Sequence, residues 1–489
     1  MSIYQVRKLL DGNWLLRKIG LLPKEEAANI DRVGEVADSS WFANRHARQR
    51  LSPEALARGP GSGIPPSGPW TVIKAKAIGL SPGFVATDEL GRRLFVKFDP
   101  PDYPGMGTNA DVIMSRLLHA AGYHVPEYYQ VAIDPDLLTL RPEATIPGKY
   151  KVPRPMTRDD LDRILAAAPR DREGRILGNV SIGLPGIPKG AFSFLGSRPD
   201  DPNDTIRHED RRELRGLRVI MAWFNNADAR HGNTLDTYIE EEGRRFLKHH
   251  LIDFSGALGS ANFRPKQPSE GHDYYFDPRT VGGSLAALGL WVKPWERQKF
   301  TLFPEIGLFA AEPFTPVGWR GYYPNPAFEK MTARDAFWAA AIVTAFTDDD
   351  IRALVRTGYF PTPGAEDHLI RTLIARRDTI GRYWFDVTRI NPLDEMTVQA
   401  LPDGRQELGF RDLGVERGYA DAAATLYRYR VEGGDFEMTP APRIPLPAAD
   451  RRLSLTIQTS RDGGDHWGRA VTVTLEPDNG GFSVYQITR

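Results

Sequence analysis

The chain has 489 residues, 41% hydrophobic and 26% charged, the composition of an ordinary globular protein long enough for two or three domains with substantial cores. Lys+Arg and Asp+Glu are both 63, and a formal charge of zero implies no global steering towards nucleic acid or a membrane surface. The absence of cysteine excludes disulfides, thiolate metal sites and thiol nucleophiles; it leaves the compartment open, because such a chain tolerates either redox environment.

No uninterrupted apolar run approaches the roughly 20 residues that span a bilayer. The stretch from Met1 to Lys18 carries charges among its apolar residues and lacks a small-residue cleavage site. A soluble protein with no signal peptide in the chain as it stands is expected, a removed leader being the alternative. Residues 1–66 read as an N-terminal arm ending in a Gly/Pro/Ser-rich linker from Gly59 to Gly68.

From Trp70 the pattern alternates. Strands around Trp70–Ile78, Phe84–Thr87 and Arg93–Phe98, separated by turn residues at Gly79–Gly83 and Asp88–Gly91, predict an antiparallel meander. Val112, Ile113, Leu117 and Leu118 are near helical spacing, which predicts a helix from Asn109 to a C-cap at Gly122. A strand follows from Val125, then a helix capped by Thr157, then a β-rich stretch around Asn179–Phe194. The helix from Glu209 to Phe224 is polar at first and apolar towards its end, so it runs from surface to core.

That helix delivers the chain to Asn225-Asn-Ala-Asp228-Ala-Arg-His-Gly-Asn233. Two short strands joined by a charged turn at Glu240–Arg245 then end on Asp253-Phe-Ser-Gly. A hairpin brings its two ends together, so Asn233 and Asp253 are expected side by side. An amide oxygen and a carboxylate converging beside Asp228 suit a Mg²⁺ ion completed by phosphate oxygens. An Asp that only tightens a turn is the alternative for Asp228. Lys97 stands among apolar strand residues, either gripping phosphate or snorkelling at a sheet edge. Asp111 is the candidate acid to orient it, or else a first-turn residue facing the helix dipole. Gly79 and Gly83 bound the loop where phosphates would be covered.

Beyond Gly256 come an irregular segment rich in aromatics and prolines, two helices around 331–346 and 367–385, and strands from about 400 onwards that suggest a small β-sandwich. His249 and His250 are adjacent on a strand and point to opposite faces, which disfavours a metal pair.

The set of Lys97, Asp228 with Asn233, and Asp253-Phe-Ser-Gly resembles the protein-kinase-like superfamily. The Asn-x-Asp-x-x-x-x-Asn pattern from Asn226 is most similar to the catalytic loops of HipA-like and CotH-like atypical kinases. Over roughly residues 67 to 390, this resemblance implies an α+β bilobal fold. Its antiparallel-sheet small lobe would span 67–204, with an insertion, and its mainly helical large lobe 205–399; a C-terminal β domain at 400–489 is appended. It implies Asp228 as catalytic base, Asn233 and Asp253 as metal ligands, and Lys97 with Asp111 on the phosphates. ATP and Mg²⁺ are the implied cofactors, and the acceptor is a protein or small molecule. The chain departs from the family pattern in having no Gly-x-Gly-x-x-Gly, an Asp in place of the helix Glu, and Asp-Phe-Ser-Gly in place of Asp-Phe-Gly. A catalytically inactive scaffold or nucleotide-binding protein is the alternative.

Overall fold

A computed structural model describes residues 25–76, 81–275, 278–288, 290–297, 300–478 and 481–489. Its first layer is a seven-stranded sheet of β1 (Trp70–Ala75), β2 (Gly83–Thr87), β3 (Arg93–Lys97), β4 (Tyr128–Ile133), β5 (Leu138–Pro147), β6 (Pro153–Pro155) and β7 (Ile176–Ile182). The spatial order is β4-β7-β3-β2-β1-β5-β6. Every neighbouring pair is antiparallel except β1 and β5, which run parallel; β1, β2 and β3 form the antiparallel meander read from the alternation, while the sheet as a whole is mixed where the resemblance implied an antiparallel one. The β2–β3 turn forms as its sequence requires: Asp88 Oδ1 accepts from the amides of Leu90 and Arg92, and Gly91 takes the left-handed φ of 73°. Leu94, Val96, Phe84 and Ala86 pack with Leu161 and Leu165 of a short helix (Arg158–Ala166) that Thr157 and Asp160 close in a capping box.

We number as α1 the arm helix Pro53–Arg58, as α2 the helix Met106–Ala121 and as α3 the helix Arg158–Ala166. Helix α2 starts three residues earlier than its apolar spacing indicates, and all its residues except His119 are buried. A helix apolar on one face only would leave the other in water. Here Trp41, Phe42 and Leu56 of the N-terminal arm cover it, and it joins the core of the helical lobe rather than that of the sheet. Asp99, two residues beyond Lys97, holds its first turn by accepting from the amides of Gly107 (2.8 Å) and Thr108 (3.2 Å). Burial pushes that carboxyl up to about 6, against the pull of those hydrogen bonds.

The helical lobe contains α4 (Arg212–Trp223), α5 (Pro278–Ala286), α6 (Pro326–Lys330), α7 (Ala333–Thr344), α8 (Asp348–Val355) and α9 (Ala365–Trp384). The hairpin of β9 (Thr234–Glu241) and β10 (Arg244–Leu251) projects from it, with β8 (Ile187–Gly190) on the far side of β9. None of the helices among the described residues is long and apolar enough to cross a membrane.

The C-terminal strands β11 (Leu393–Ala400), β12 (Gln406–Asp412) and β15 (Arg443–Leu446) form one sheet. β14 (Glu437–Thr439), β13 (Leu426–Val431), β16 (Leu453–Ser460), β17 (Val471–Asp478) and β18 (Gly481–Thr488) form a second, in that order. Leu393, Leu408 and Ile444 of the first share a core with Leu455, Ile457 and Val473 of the second, which makes a sandwich. The architecture is therefore α+β: a sheet-rich lobe, a mainly helical lobe and an appended β-sandwich, the fold class read from the sequence.

One buried cation fixes the end of α4. Arg376 of α9 donates to the carbonyls of Trp223 (2.8 Å), Ala222 (2.6 Å) and Ala310 (2.8 Å), and lies 3.7 Å from the centroid of the Phe314 ring. The last carbonyls of a helix lack intrahelical partners and carry its negative dipole end, which suits a guanidinium. Burial lowers the Arg376 pKa to about 9. Replacing Arg376 with Met would leave the carbonyls of Trp223 and Ala310 without a partner among the described residues, at about 1 kcal/mol or more each, while that of Ala222 keeps the amide of Asn225. A loss of roughly 2 kcal/mol or more in urea unfolding is the expected outcome, and an unchanged midpoint would refute it.

Candidate active site

Lys97 ends β3, where the period of two that buries Leu94 and Val96 turns it to the other face of the sheet. Its ammonium lies 2.8 Å from Asp253 Oδ1 and 3.3 Å from Asp111 Oδ2, with 13% of the side chain exposed. It points into the molecule and does not snorkel. Asp111, one turn into α2, is wholly buried. Its Oδ2 also accepts from Asn179 Nδ2 of β7 (3.0 Å), and its Oδ1 accepts from the amide of Phe254 (2.6 Å). The capping task falls to Asp99, which leaves the Asp111 carboxylate for Lys97. Burial alone would lower the Lys97 pKa, but Asp111 and Asp253 outweigh it and hold the ammonium well above its usual range. For Asp111 burial prevails over Lys97 and the pKa rises. For Asp253, burial is outweighed by Lys97 and by the Ser255 hydroxyl, which keep it below the ordinary carboxylate range.

The second half of the site follows α4. Asn225 turns the chain with φ 50°, and Asn226 Oδ1 accepts from the amide of Asp228 (3.3 Å). Asn233 Nδ2 reaches back to the carbonyl of Asp228 (2.9 Å) and its Oδ2 (3.1 Å), and Arg230 Nε pairs with Oδ1 at 2.7 Å. Burial raises the Asp228 pKa and the charge of Asp253 adds to it, while Arg230 and Asn233 oppose.

The hairpin joins the two halves. Thr234 pairs with Leu251, and the amide of Ile252 donates to the carbonyl of Asn233 at 3.0 Å, so Asn233 and Asp253 are neighbours. Asp253 adopts the left-handed region (φ 59°), a strained conformation for a non-glycine residue. Three residues on, a Cβ at Gly256 would come 3.3 Å from Asp228 Cβ, which brings the two loops into contact. Lys97, Asp111 and Asp253 thus form one cluster, Asp228 and Asn233 another, and the hairpin abuts them. Gly83, the first residue of β2, pairs with Lys97 across the strands. Gly79 lies outside the described residues.

Among the described residues no group of three or more His, Asp or Glu side chains is placed to hold a metal ion. Asn233 Oδ1 and Asp253 Oδ2 take no hydrogen bond among the described residues, whereas the other atoms of those groups are occupied. One amide oxygen and one carboxylate oxygen suit Mg²⁺, which keeps several waters and takes phosphate oxygens as further ligands. His249 instead hydrogen-bonds Asp236 at 2.7 Å and stacks on Trp41, while His250 Nδ1 lies 3.3 Å from the carbonyl of Leu235.

Four neighbours of the site escaped the sequence reading. Arg230 lay inside the motif, and a basic residue two after Asp228 was its signal. Lys76 could have been placed by counting back from Gly83 across the first turn. Lys266, buried in the segment after Gly256, donates to the carbonyls of Gly256 and Ser260; nothing local marked it. Tyr322 donates its amide to the carbonyl of Ala227 (2.7 Å), and its ring stacks on Tyr275 at 4.5 Å, so an aromatic shelf hangs on the loop of Asp228.

No protein-family model and no curated protein matches this chain. It is similar to a solved structure described as the crystal structure of the Golgi casein kinase, with 11% sequence identity and a TM-score of 0.31. That likeness covers 67% of this chain and 76% of the other. A likeness of that extent carries no weight by itself, and the functional reading rests on the geometry of the site.

Lys266 gives the site a pH signature. Burial lowers its pKa to about 7, against the charges of Glu270 and Asp228, whereas an unfolded Lys titrates near about 10.4. Between those values the unfolded chain binds the proton more tightly, so the destabilisation is complete below pH 7 and is relieved as pH rises. The Tm of the wild type relative to Lys266→Met should therefore increase from pH 7 to about pH 10. A difference that is flat or falls across that range would contradict the assignment.

Proposed function

We propose that this protein is an ATP- and Mg²⁺-dependent phosphotransferase of the atypical kinase type. The observation that supports this reading best is the convergence of Lys97, Asp111 and Asp253 with Asp228 and Asn233 on adjoining loops. In this reading Lys97 grips nucleotide phosphates. Its ammonium has three donors, so it can turn one from Asp253 to a phosphate oxygen while Asp111 holds it in place. Phe95 and Lys97 share a face of β3, and the Phe95 ring is 40% exposed, a suitable platform for the base. Asn233 and Asp253 would hold the magnesium ion, whose role is to neutralise charge on the phosphates.

Asp228 orients the acceptor hydroxyl and takes its proton as the new O–P bond forms and the bond to the leaving ADP breaks. Its raised pKa makes it a better base than an ordinary Asp. Arg230, half-exposed at the mouth of the site, can neutralise charge on the transferred group. The acceptor enters beside Asp228, where Tyr275 is 62% exposed on its shelf. An acceptor protein or small molecule, and no nucleic acid, fits the neutral overall charge.

A second reading, nucleotide binding without transfer, is favoured by one observation: Arg230 and Asn233 occupy both carboxylate oxygens of Asp228. Incubation with γ-labelled ATP and Mg²⁺ separates the two. Wild type should label itself or an added acceptor, and Asp228→Asn should transfer about 100-fold less or worse while still binding nucleotide. Asp253→Asn should lose the Mg²⁺ dependence of binding as well. Wild type that binds ATP but transfers nothing supports the second reading. Equal transfer by wild type and both variants excludes the proposed roles.

A further inference from the structure

The sheet above the site carries a row of polar residues that its strand pairing sets side by side. Gly83 of β2 is opposite Lys97 of β3, Lys97 is opposite Asn179 of β7, and Asn179 is opposite Gln130 of β4. On the other flank, the pairing of Ala75 with Phe84 continues by one residue, with the amide of Lys76 donating to the carbonyl of Gly83 at 3.0 Å. Directly opposed residues share a face of a sheet. Lys76 and Lys97 therefore flank Gly83, two strand spacings or about 10 Å apart at the backbone. Among the described residues no side chain of the sheet stands between them, and none fits at Gly83: a Cβ there would come 2.1 Å from the carbonyl oxygen of Val96.

The two lysines are neutralised differently. Lys97 has two carboxylates. Lys76, half-buried, donates to the carbonyl of Ser81 at 3.2 Å and makes no ion pair with a carboxylate among the described residues. The nearby acids, Asp111 and Asp253, both hydrogen-bond Lys97. A half-buried ammonium beside another ammonium, offset only by carboxylates that hydrogen-bond its neighbour, is an unfavourable arrangement for a folded chain. It becomes favourable when an anion of high charge enters between the two. Burial, then the charge of Lys97, lowers the Lys76 pKa against Asp253 and Asp111, which places it in the same electrostatic field.

We propose that Lys76 is the second ammonium of a polyphosphate subsite: with Lys97 it closes on the phosphate chain of a nucleoside triphosphate across the gap at Gly83. This supplies by charge the grip that the missing Gly-x-Gly-x-x-Gly would supply through backbone amides, and it rests on the nucleotide-binding reading of the site. Lys76 is a positioning residue for the phosphates and takes no part in proton transfer. The subsite discriminates by phosphate number and is indifferent to the nucleoside.

The test uses the full chain and titrates Mg²⁺-ATP, AMP and adenosine by calorimetry. Lys76→Met should weaken ATP binding about tenfold or more, the value of one charge-assisted hydrogen bond. Adenosine binding should be unchanged, so the preference for ATP over AMP narrows. Lys76→Arg should keep most of that preference. The ligand-free Tm of Lys76→Met should equal or exceed that of wild type, because a like-charge contact has been removed. Lys76→Met binding ATP as tightly as wild type overturns the proposal. So does a parallel loss of ATP and adenosine affinity with a lowered ligand-free Tm, which would mark a structural role. Wild type that binds no nucleotide overturns this proposal and the phosphotransferase reading together, whereas wild-type binding with an insensitive Lys76 overturns this one alone.

Discussion

A carboxylate with no exposure to water must be neutralised and hydrogen-bonded or it unfolds what surrounds it. Asp111 meets that requirement through Lys97 of β3, Asn179 of β7 and the amide of Phe254, so one side chain ties the sheet, the central helix and the turn after β10 to a common point. Because α2 is buried almost all round, Asp111 cannot yield by tilting its helix towards solvent. The other partners adapt to it. Lys97 is drawn inward, Phe254 is fixed in place, and Asp253 accepts a left-handed backbone in order to reach the same ammonium.

How much of this could be read from the chain depended on the range of the interaction. The hairpin was legible because its cause is local: two alternating strands and a short charged turn bring Asn233 and Asp253 together whatever else the chain does. The sandwich strands and the capped helix at Thr157 were legible for the same reason. The burial of α2 on nearly every side was not, since the residues that cover its polar-looking face lie in the arm, some 50 to 80 positions earlier. The parallel pairing of β1 with β5 was hidden by the four intervening elements. Lys266 and the Tyr275–Tyr322 stack depend on contacts across a segment without periodicity, where spacing carries no signal.

The charges of the site close on one another. Lys97 is balanced by two acids, Asp228 by Arg230, and Lys266 by carbonyl groups and the more distant Glu270. Such a site is neutralised from within, and on the proposed reading a nucleotide would exchange partners rather than fill a void. Ammonium and guanidinium groups suit that exchange, because each carries more donors than a single carboxylate can occupy. On the same reading, the oxygens left over on Asn233 and Asp253 would supply the complementary surface for a cation arriving with the phosphates.

The cation at the end of α4 has a mechanical consequence. Arg376 stands five residues before Gly381 on the same helix, and Gly381 has no side chain because the ring of Tyr419, from the connection between β12 and β13 of the sandwich, presses on it: a Cβ there would come 2.2 Å from that ring. Five residues of helix make a rod of about 7.5 Å. One end of that rod is keyed to the β-sandwich by an aromatic ring, and the other is pinned to the carbonyls from which the loop of Asp228 departs. The terminal domain and the Asp228 loop are thus set in register by a stiff spacer, and α9 cannot slide by one residue without letting go of both.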